Sequence, residues 1–278
     1  HHLAHASYAG VDRKTAHDVN VGGAAEVIEL GRQAASVRSI VVHSSTTVAG
    51  DRTGVVYEDD LDAGQSFRNP IEESRARAEK IVRRAMRELP LTIVRPSAVV
   101  GDSGTGRTLR FDGANLLLSL LVAAPDDFAV PLIGRGDAPF HVVPVDFVSR
   151  AARVLARHDA ARGATFHLVD PAPPTAADVF AMVARAAGKR APSGSIPAGV
   201  ARVILAAPGL ERFAADPRTL AQQLIQKVRF DARRAEAILT PANVVCPPFA
   251  SYVDNLVDAL RGHLGRAKPQ SSEEGVST

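Results

Sequence analysis

The stretch LTIVRPSAVVG (Leu91–Gly101) is an almost unbroken run of apolar and β-branched residues. Such a run is typical of a strand in a parallel sheet that is covered on both faces. Two other runs have the same character, VRSIVVHSS (Val37–Ser45) and GATFHLVD (Gly163–Asp170). The sequence therefore predicts three strands of one parallel sheet.

Helical patterns separate these strands. NPIEESRARAEKIV (Asn69–Val82) begins as a turn and continues as a helix, and NVGGAAEVIELGRQA, which starts at Asn20, has apolar residues at helical spacing. The helix that begins after Asn69 carries an apolar stripe made of Ala78, Ile81, Val82, Ala85 and Met86. Strands that alternate with helices indicate an α/β fold with right-handed crossovers.

The pattern changes after about residue 171, where helices predominate as far as about Arg261. Thr175 is a candidate helix cap with Asp178 three residues later, and Gly188 is a candidate stop. We therefore divide the chain into an α/β unit at 1–170, a mainly helical lobe at 171–262 and a small, polar tail at 263–278 that we expect to be disordered.

Composition narrows the function classes. Hydrophobic residues make up 46% and charged residues 23%, which is ordinary globular composition. The net charge of +3 and the lack of tryptophan argue against a nucleic-acid partner. The single cysteine, Cys246, excludes an internal disulfide and favours the cytoplasm, and no apolar run is long enough for a membrane span.

A dinucleotide site would need G-x-G-x-x-G between a strand and a helix, and this chain contains none. The nearest candidate is GDSGTGR (Gly101–Arg107), which leads into TLRFDG rather than a helix. It is either a phosphate cradle or, as we favour, a mobile loop at the strand end.

The order of the motifs resembles the extended short-chain dehydrogenase/reductase family, which is epimerase/dehydratase-like. The motifs are HHLAHASY, NVGGAAEVIEL, SSTTVAG (Ser44–Gly50), NPIEESRARAEKIV, RPSAVVG and VVPVDFV (Val142–Val148). GDSGTGRTLRFDG and NVVCPPFASYVDNLV bring the likeness nearest to the male-sterility, fatty acyl-CoA reductase and thioester reductase branch. The resemblance begins partway through the family's domain, so we expect its first third to be absent.

This resemblance implies a truncated Rossmann-like, doubly wound parallel sheet with a smaller, mainly helical C-terminal substrate domain. Residues 1–170 would be the C-terminal part of an NAD(P)-binding domain and 171–262 the substrate-binding lobe. The family's cofactor is NADP or NAD, and binding by a chain without the glycine loop is expected to be weak. The positions that would contact the cofactor are Ala4, Arg75, Pro96, Ser97 and Val99.

The family's chemistry requires a tyrosine that transfers a proton and a lysine four residues later on the same helix face. Ile71 stands at the tyrosine position and Arg75 at the lysine position, whereas Ser45 and Asn20 match the family's serine and asparagine. Isoleucine cannot exchange a proton. We therefore predict a reductase of acyl thioesters or related carbonyls that is inactive in this chain, with a non-catalytic binding or scaffold protein as the alternative.

Other residues have structural interpretations that we favour over functional ones. Tyr57 lies in the loop GVVYEDD before the helix, and a role in which it swings in as the proton donor is the alternative that we do not favour. Alternating strand geometry separates the histidines His1, His2 and His5, so we predict no metal site. Asp146 is expected to be a helix cap, Cys246 a buried apolar residue, and Arg83, Arg84 and Arg87 a solvated helix face.

The predicted absence of the family's first strands leaves one border of the sheet without a neighbour. Unpaired backbone groups at such a border favour pairing with another chain. We therefore expect self-association or a partner chain there, in addition to a small acyl or carbonyl substrate.

Overall fold

The computed structural model describes residues 1–6, 10–111, 113–127, 129–197, 199–201 and 224–266. Its labelled α-helices are α1 Arg13–His17, α2 Gly23–Gln33, α3 Pro70–Ala85, α4 Gly113–Ala123, α5 Val145–Leu155, α6 Ala176–Ala186, α7 Arg233–Leu239 and α8 Val253–Arg266. The strands are β1 Ile40–His43, β2 Gly54–Val56, β3 Leu91–Pro96, β4 Ala98–Val100, β5 Leu132–Ile133, β6 Val142–Pro144, β7 Thr165–Leu168, β8 Ser195–Ile196 and β9 Val228–Phe230.

The main sheet has the strand order β1-β3-β7, and all pairs are parallel. Ile40 lies opposite Leu91, and Ile93 lies opposite Thr165. On the other side of β1, His2 forms an isolated parallel bridge with Val42. Residues 1–6, which we call the border segment, therefore meet the border of the sheet at His2. The predicted parallel α/β fold is confirmed.

Helices cover both faces of this sheet, as the apolar runs predicted. α2 and α3 cover one face, whose buried residues are Ala24, Ile28, Val42, Ala78, Val82, Ala85, Leu91 and Ile93. α5 and α7 cover the other, whose buried residues include Val41, Val94, Phe147, Ala151, Leu155, Phe166, Ala235 and Leu239. Each fully buried aliphatic or aromatic side chain contributes about 1.5–3 kcal/mol of transfer free energy.

The run Leu91–Gly101 is two strands, and its prediction as one was wrong. β3 ends at Pro96, and β4 belongs to a separate two-stranded sheet with β6. The partners change because the Ser97 amide donates to the Leu168 carbonyl at 3.1 Å, whereas the next amide, of Ala98, donates to His141 at 3.2 Å. The chain therefore leaves the main sheet after Pro96 and continues in the sheet formed by β4 and β6.

A second apolar core is formed by α4, α6 and α8. The predicted start of α6 is confirmed, since Thr175 and Asp178 form a reciprocal capping box. α8 continues to Arg266, so residues 263–266, which we had assigned to the tail, are helical. The rest of the predicted tail lies outside the described residues, and the domain boundary at 170 stays a prediction.

Within the described residues, no helix is both long and apolar enough to cross a bilayer. Cys246 is buried in the core between α5 and α7, as predicted for a small apolar residue. The short strand β2 pairs in parallel with β9, which brings the second half of the chain back to the loop after β1.

Candidate functional site

Asn20 is fully buried and lies in a single turn of π-helix, Asp18–Gly22, which precedes α2. Its Oδ1 accepts from the Ala6 amide at 2.8 Å, and its Nδ2 donates to the Ala6 carbonyl at 3.2 Å and to Ser74 Oγ at 2.8 Å. Asn20 therefore joins the border segment to α3. Turns of π-helix often occur at functional sites, but the helical periodicity around Asn20 did not reveal this one.

Ser45 is buried where β1 ends and caps the 3-10 turn Thr46–Ala49. Its Oγ accepts from the Thr47 amide at 3.2 Å, which leaves the hydroxyl proton available to a ligand. The neighbouring Ser44 Oγ donates to Glu79 Oε2 at 2.8 Å.

The side chain of Ile71 is half-buried and packs against the apolar cluster of Ala6, Val11 and Ala16. Its carbonyl accepts from Ser74 Oγ at 3.1 Å, and Ser74 in turn accepts from Asn20. Ile71 and Asn20 are thus neighbours through Ser74, and the aliphatic side chain of Ile71 lies in an apolar cluster. Their assignment to the family's tyrosine and asparagine positions stays a prediction.

Arg75 is half-buried and lines a small cavity at the sheet border. The cavity is about 10 Å³, enough for one water molecule. Its polar or titratable lining residues are His2, His5, His43, Ser44, Arg75 and Glu79. A dinucleotide is far too large for this cavity.

The other positions proposed for the cofactor are dispersed. Ala4 is exposed in the border segment, Pro96 is buried at the end of β3, and Val99 is 37% exposed in β4. Ser97 is buried, and its Oγ has no hydrogen-bond partner among the described residues. The role of all these positions in cofactor binding stays a prediction.

Burial lowers the pKa of the histidines around the cavity. Burial and the charge of Arg75 lower the pKa of His5 to about 4, although the His43 backbone and Asn20 oppose this. Burial and the neighbouring His5 lower the pKa of His43 to about 4 as well. Within the described residues, no group of three or more His, Cys, Asp or Glu side chains is arranged to hold a metal ion.

We expect the free energy of unfolding to fall as the pH drops from about 6.5 towards 4. An unfolded histidine takes up a proton near 6.5, whereas His5 and His43 in the folded chain do so at about 4. The folded state thus binds fewer protons than the unfolded state in this pH window. The two histidines make their full contribution to the free energy of unfolding only above about pH 6.5. Urea unfolding between about pH 7 and pH 5 measures the loss.

The control is a variant with His5→Gln and His43→Gln, which should show a smaller loss. The exposed His158 provides a matched substitution, His158→Gln, that should leave the loss unchanged. An equal loss in the double variant and the wild type would contradict the assignment.

Hydrogen bonds hold the loop Gly101–Arg107 in the structure, and its predicted mobility stays a prediction. The Gly104 and Thr105 amides donate to Asp102 Oδ1 at 3.0 and 2.9 Å, so these two amides are already used within the loop. Ser103 donates from its amide and its hydroxyl to Asp146, both at 2.9 Å. The loop is a packed connection between β4, α5 and α8.

Two further predictions are corrected. Asp146 is not the cap of α5, since Pro144 holds that position and Asp146 binds Ser103 instead. Arg83 is not on a solvated face, because it is half-buried and its Nε donates to Glu79 Oε1 at 3.1 Å.

Tyr57 is about half exposed, and its amide donates to Asp60 in a turn.

Sequence reasoning missed a buried ion pair behind the site. Arg95 of β3 is fully buried, and its Nε lies 3.1 and 3.0 Å from the two carboxylate oxygens of Glu79 on α3. An arginine inside the apolar run LTIVRP was the available signal, because a buried guanidinium needs a buried anion.

A family model described as male sterility protein matches residues 3–152. Among curated proteins, none matches this sequence. The terminal R domain from the myxalamid PKS-NRPS biosynthetic pathway has a similar structure, with a TM-score of 0.78 and 23% identity. The match covers 96% of this chain and 68% of that one.

Two other solved structures share the fold at lower identity. UDP-glucuronic acid 4-epimerase from Bacillus cereus, in complex with NAD, matches with a TM-score of 0.69 and 15% identity over 95% of this chain and 74% of its own. A thiolation-reductase di-domain from an archaeal non-ribosomal peptide synthetase matches with a TM-score of 0.67 and 15% identity. The match covers 95% of this chain and 67% of that one.

Proposed function

This chain belongs to the male sterility protein family of extended short-chain dehydrogenase/reductases, and we propose that it is an acyl-reductase-type member without hydride-transfer activity of its own. The family is NAD(P)-dependent. The observation that carries the proposal is Ile71, which stands at the position of the proton-donating tyrosine and packs against Ala6, Val11 and Ala16.

The substrate class of the fold is proposed to be an acyl thioester or related carbonyl. Supporting this are the structural likeness to an R domain and to a thiolation-reductase di-domain. Ser45 keeps a hydroxyl proton available at the strand end, and Asn20 keeps its bridge between the border segment and α3. A carbonyl ligand can therefore still be held where no group at residue 71 can protonate it.

The test is oxidation of NADPH by the full chain in the presence of a fatty acyl thioester. We expect a rate at least about 100-fold below that of a reductase with an intact tyrosine and lysine, because a general acid contributes about 10²–10⁴. Thioester-dependent oxidation of NADPH at an ordinary enzymatic rate would refute the proposal.

A pair of variants separates the missing hydroxyl from other defects. Ile71→Tyr with Arg75→Lys restores both groups of the family's pair, and Ile71→Phe with Arg75→Lys restores the ring and the ammonium without the hydroxyl. Any activity gained should require the tyrosine. Equal gains in activity over the wild type in both variants would show that residue 71 is not the proton donor's position.

A further inference from the structure

A segment from the second half of the chain lies across the loop that follows Ser45. We call residues 226–231 the strap; they contain β9, which pairs with β2. Gln226 Nε2 donates to the carbonyls of Gly50 at 2.9 Å and Arg52 at 2.7 Å. The ladder continues with the Gly54 amide to Lys227 O and the Asp231 amide to Val56 O, both at 2.9 Å.

Two histidines hold the strap from the sheet side. The ring of Phe230 lies edge-on between His141, at a centroid distance of 4.9 Å, and His167, at 5.4 Å. His141 Nε2 is 2.9 Å from the Val228 carbonyl, and His167 Nδ1 is 2.7 Å from the Asp231 carbonyl. A carbonyl only accepts, so each of these ring nitrogens carries a proton and donates.

The second nitrogen of each ring cannot easily take another proton. His167 Nε2 lies 3.2 Å from Nη1 of Arg95, and a guanidinium only donates, so this nitrogen must accept. His141 Nδ1 is buried and has no hydrogen-bond partner among the described residues. A proton there would place an unpaired charge in buried surroundings. Both rings are therefore neutral when the strap is closed, with opposite tautomers.

We propose that residues 226–231 are an acid-released strap, closed over the loop after Ser45 while His141 and His167 are neutral and released when these two rings are protonated. Protonation of His167 turns the nitrogen that accepts from Arg95 into a donor facing a donor. Protonation of His141 adds a buried charge without a partner. Either change weakens the two ring contacts that enclose Phe230.

The charges around His167 agree with this direction. Burial, and then the charge of Arg95, lower the pKa of His167 to about 4. The Asp231 carbonyl and the charges of Glu79 and Asp231 act in the opposite sense and are outweighed. A released histidine has a pKa near 6.5. Between about pH 4 and pH 6.5 the released form therefore binds more protons than the closed form, so acid favours release.

The surroundings of His141 act in the same direction. Burial lowers its pKa, the charge of Arg229 adds to this, and the bond to the Val228 carbonyl opposes it. One neighbouring carboxyl, Glu58, works against release in acid, because burial raises its pKa although it accepts from the backbone amides of His167, Arg234 and Ala235. Protonation of Glu58 therefore favours the closed form.

Release of the strap would affect the candidate site directly. The loop from residue 50 to residue 60 continues from the 3-10 turn that Ser45 caps, and Gln226 binds its first carbonyl, that of Gly50. The inference goes beyond the proposed function and needs neither a ligand nor an activity for its test.

Native-state hydrogen exchange of the full chain, corrected for intrinsic exchange rates, measures the opening of the strap. The pKa of His167 is about 4 in the closed form, and a released histidine has a pKa of about 6.5. For this one group, linkage predicts an opening constant that is roughly 20-fold larger at pH 5 than at pH 7. This increase should appear at the amides of Gly54 and Asp231, and the amides of β3 should open much less often.

The variants His141→Gln and His167→Asn keep an N–H near the original donor position but do not titrate. In the double variant the opening of the strap should be nearly independent of pH, and in the control His158→Gln it should match the wild type. If the double variant does not fold, the ring titrations of the wild type by NMR replace it and must follow the opening. Equal protection at both pH values, or opening of the strap together with β3, would overturn the proposal.

Discussion

Replacing Arg95 by methionine is expected to lower the free energy of unfolding by about 3–5 kcal/mol. Arg95 is fully buried and forms an ion pair with Glu79 inside the layer between α3 and the sheet. Removing one partner of such a pair leaves an uncompensated buried charge, which costs more than the pair itself contributes. Urea unfolding, with the slope checked for two-state behaviour, measures the change.

The cost should be large because the pair belongs to a network. Besides Glu79, the guanidinium donates to the Asp60 carbonyl at 2.7 Å and to His167 Nε2 at 3.2 Å. Glu79 also accepts from Ser44 Oγ at 2.8 Å. Burial alone acts to raise the pKa of Glu79, but the charge and hydrogen bonds of Arg95 hold it below its usual value. Without Arg95, Glu79 would keep only the half-buried Arg83 and Ser44 as partners for its charge.

Two variants control this experiment. Arg32→Met breaks an exposed ion pair with Glu88, at 3.0 Å, and should cost at most about 1 kcal/mol. Glu79→Met combined with Arg95→Met removes both charges and should cost clearly less than the sum of the two single changes. A loss below about 1 kcal/mol for Arg95→Met would mean that the pair is open to solvent.

Much of the fold could be predicted because local sequence and burial agree. The stripe of α3 that includes Val82 and Ala85 packs on the sheet as its spacing indicated, and Thr175 with Asp178 forms the capping box that starts α6. The break between β3 and β4 could not be predicted, since it depends on a change of partner, from Leu168 to His141, that no local pattern encodes.

The closeness of Asn20 and Ile71 could be predicted from the sequence, but the surroundings of the candidate site could not. Motif order pointed to Asn20 and Ile71, and the structure brings both to Ser74. The prediction that Arg83 is solvated was wrong because an amphipathic pattern shows only which face of a helix is polar. It does not show that a buried carboxylate, here Glu79, binds a charged side chain from that face. Long-range ion pairs leave no periodic signal.

Replacing Gly106 by alanine is expected to lower the free energy of unfolding by about 3 kcal/mol. Gly106 has a φ of 67°, which disfavours a side chain by itself. A Cβ at this position would also lie 1.8 Å from the Asn255 carbonyl oxygen of α8, a backbone atom that cannot rotate away. The loop and α8 would have to separate.

Gly104→Ala is the matched control in the same loop. Gly104 is exposed, its φ is not positive, and the nearest heavy atom to an added Cβ is Asp102 Oδ1 at 3.5 Å. This change should cost less than about 1 kcal/mol. Because Asn255 Nδ2 donates to the Ser103 carbonyl at 2.8 Å, the Gly106 variant should also lose amide protection at the start of α8. Equal costs for the two glycines would mean that the loop is not packed on α8.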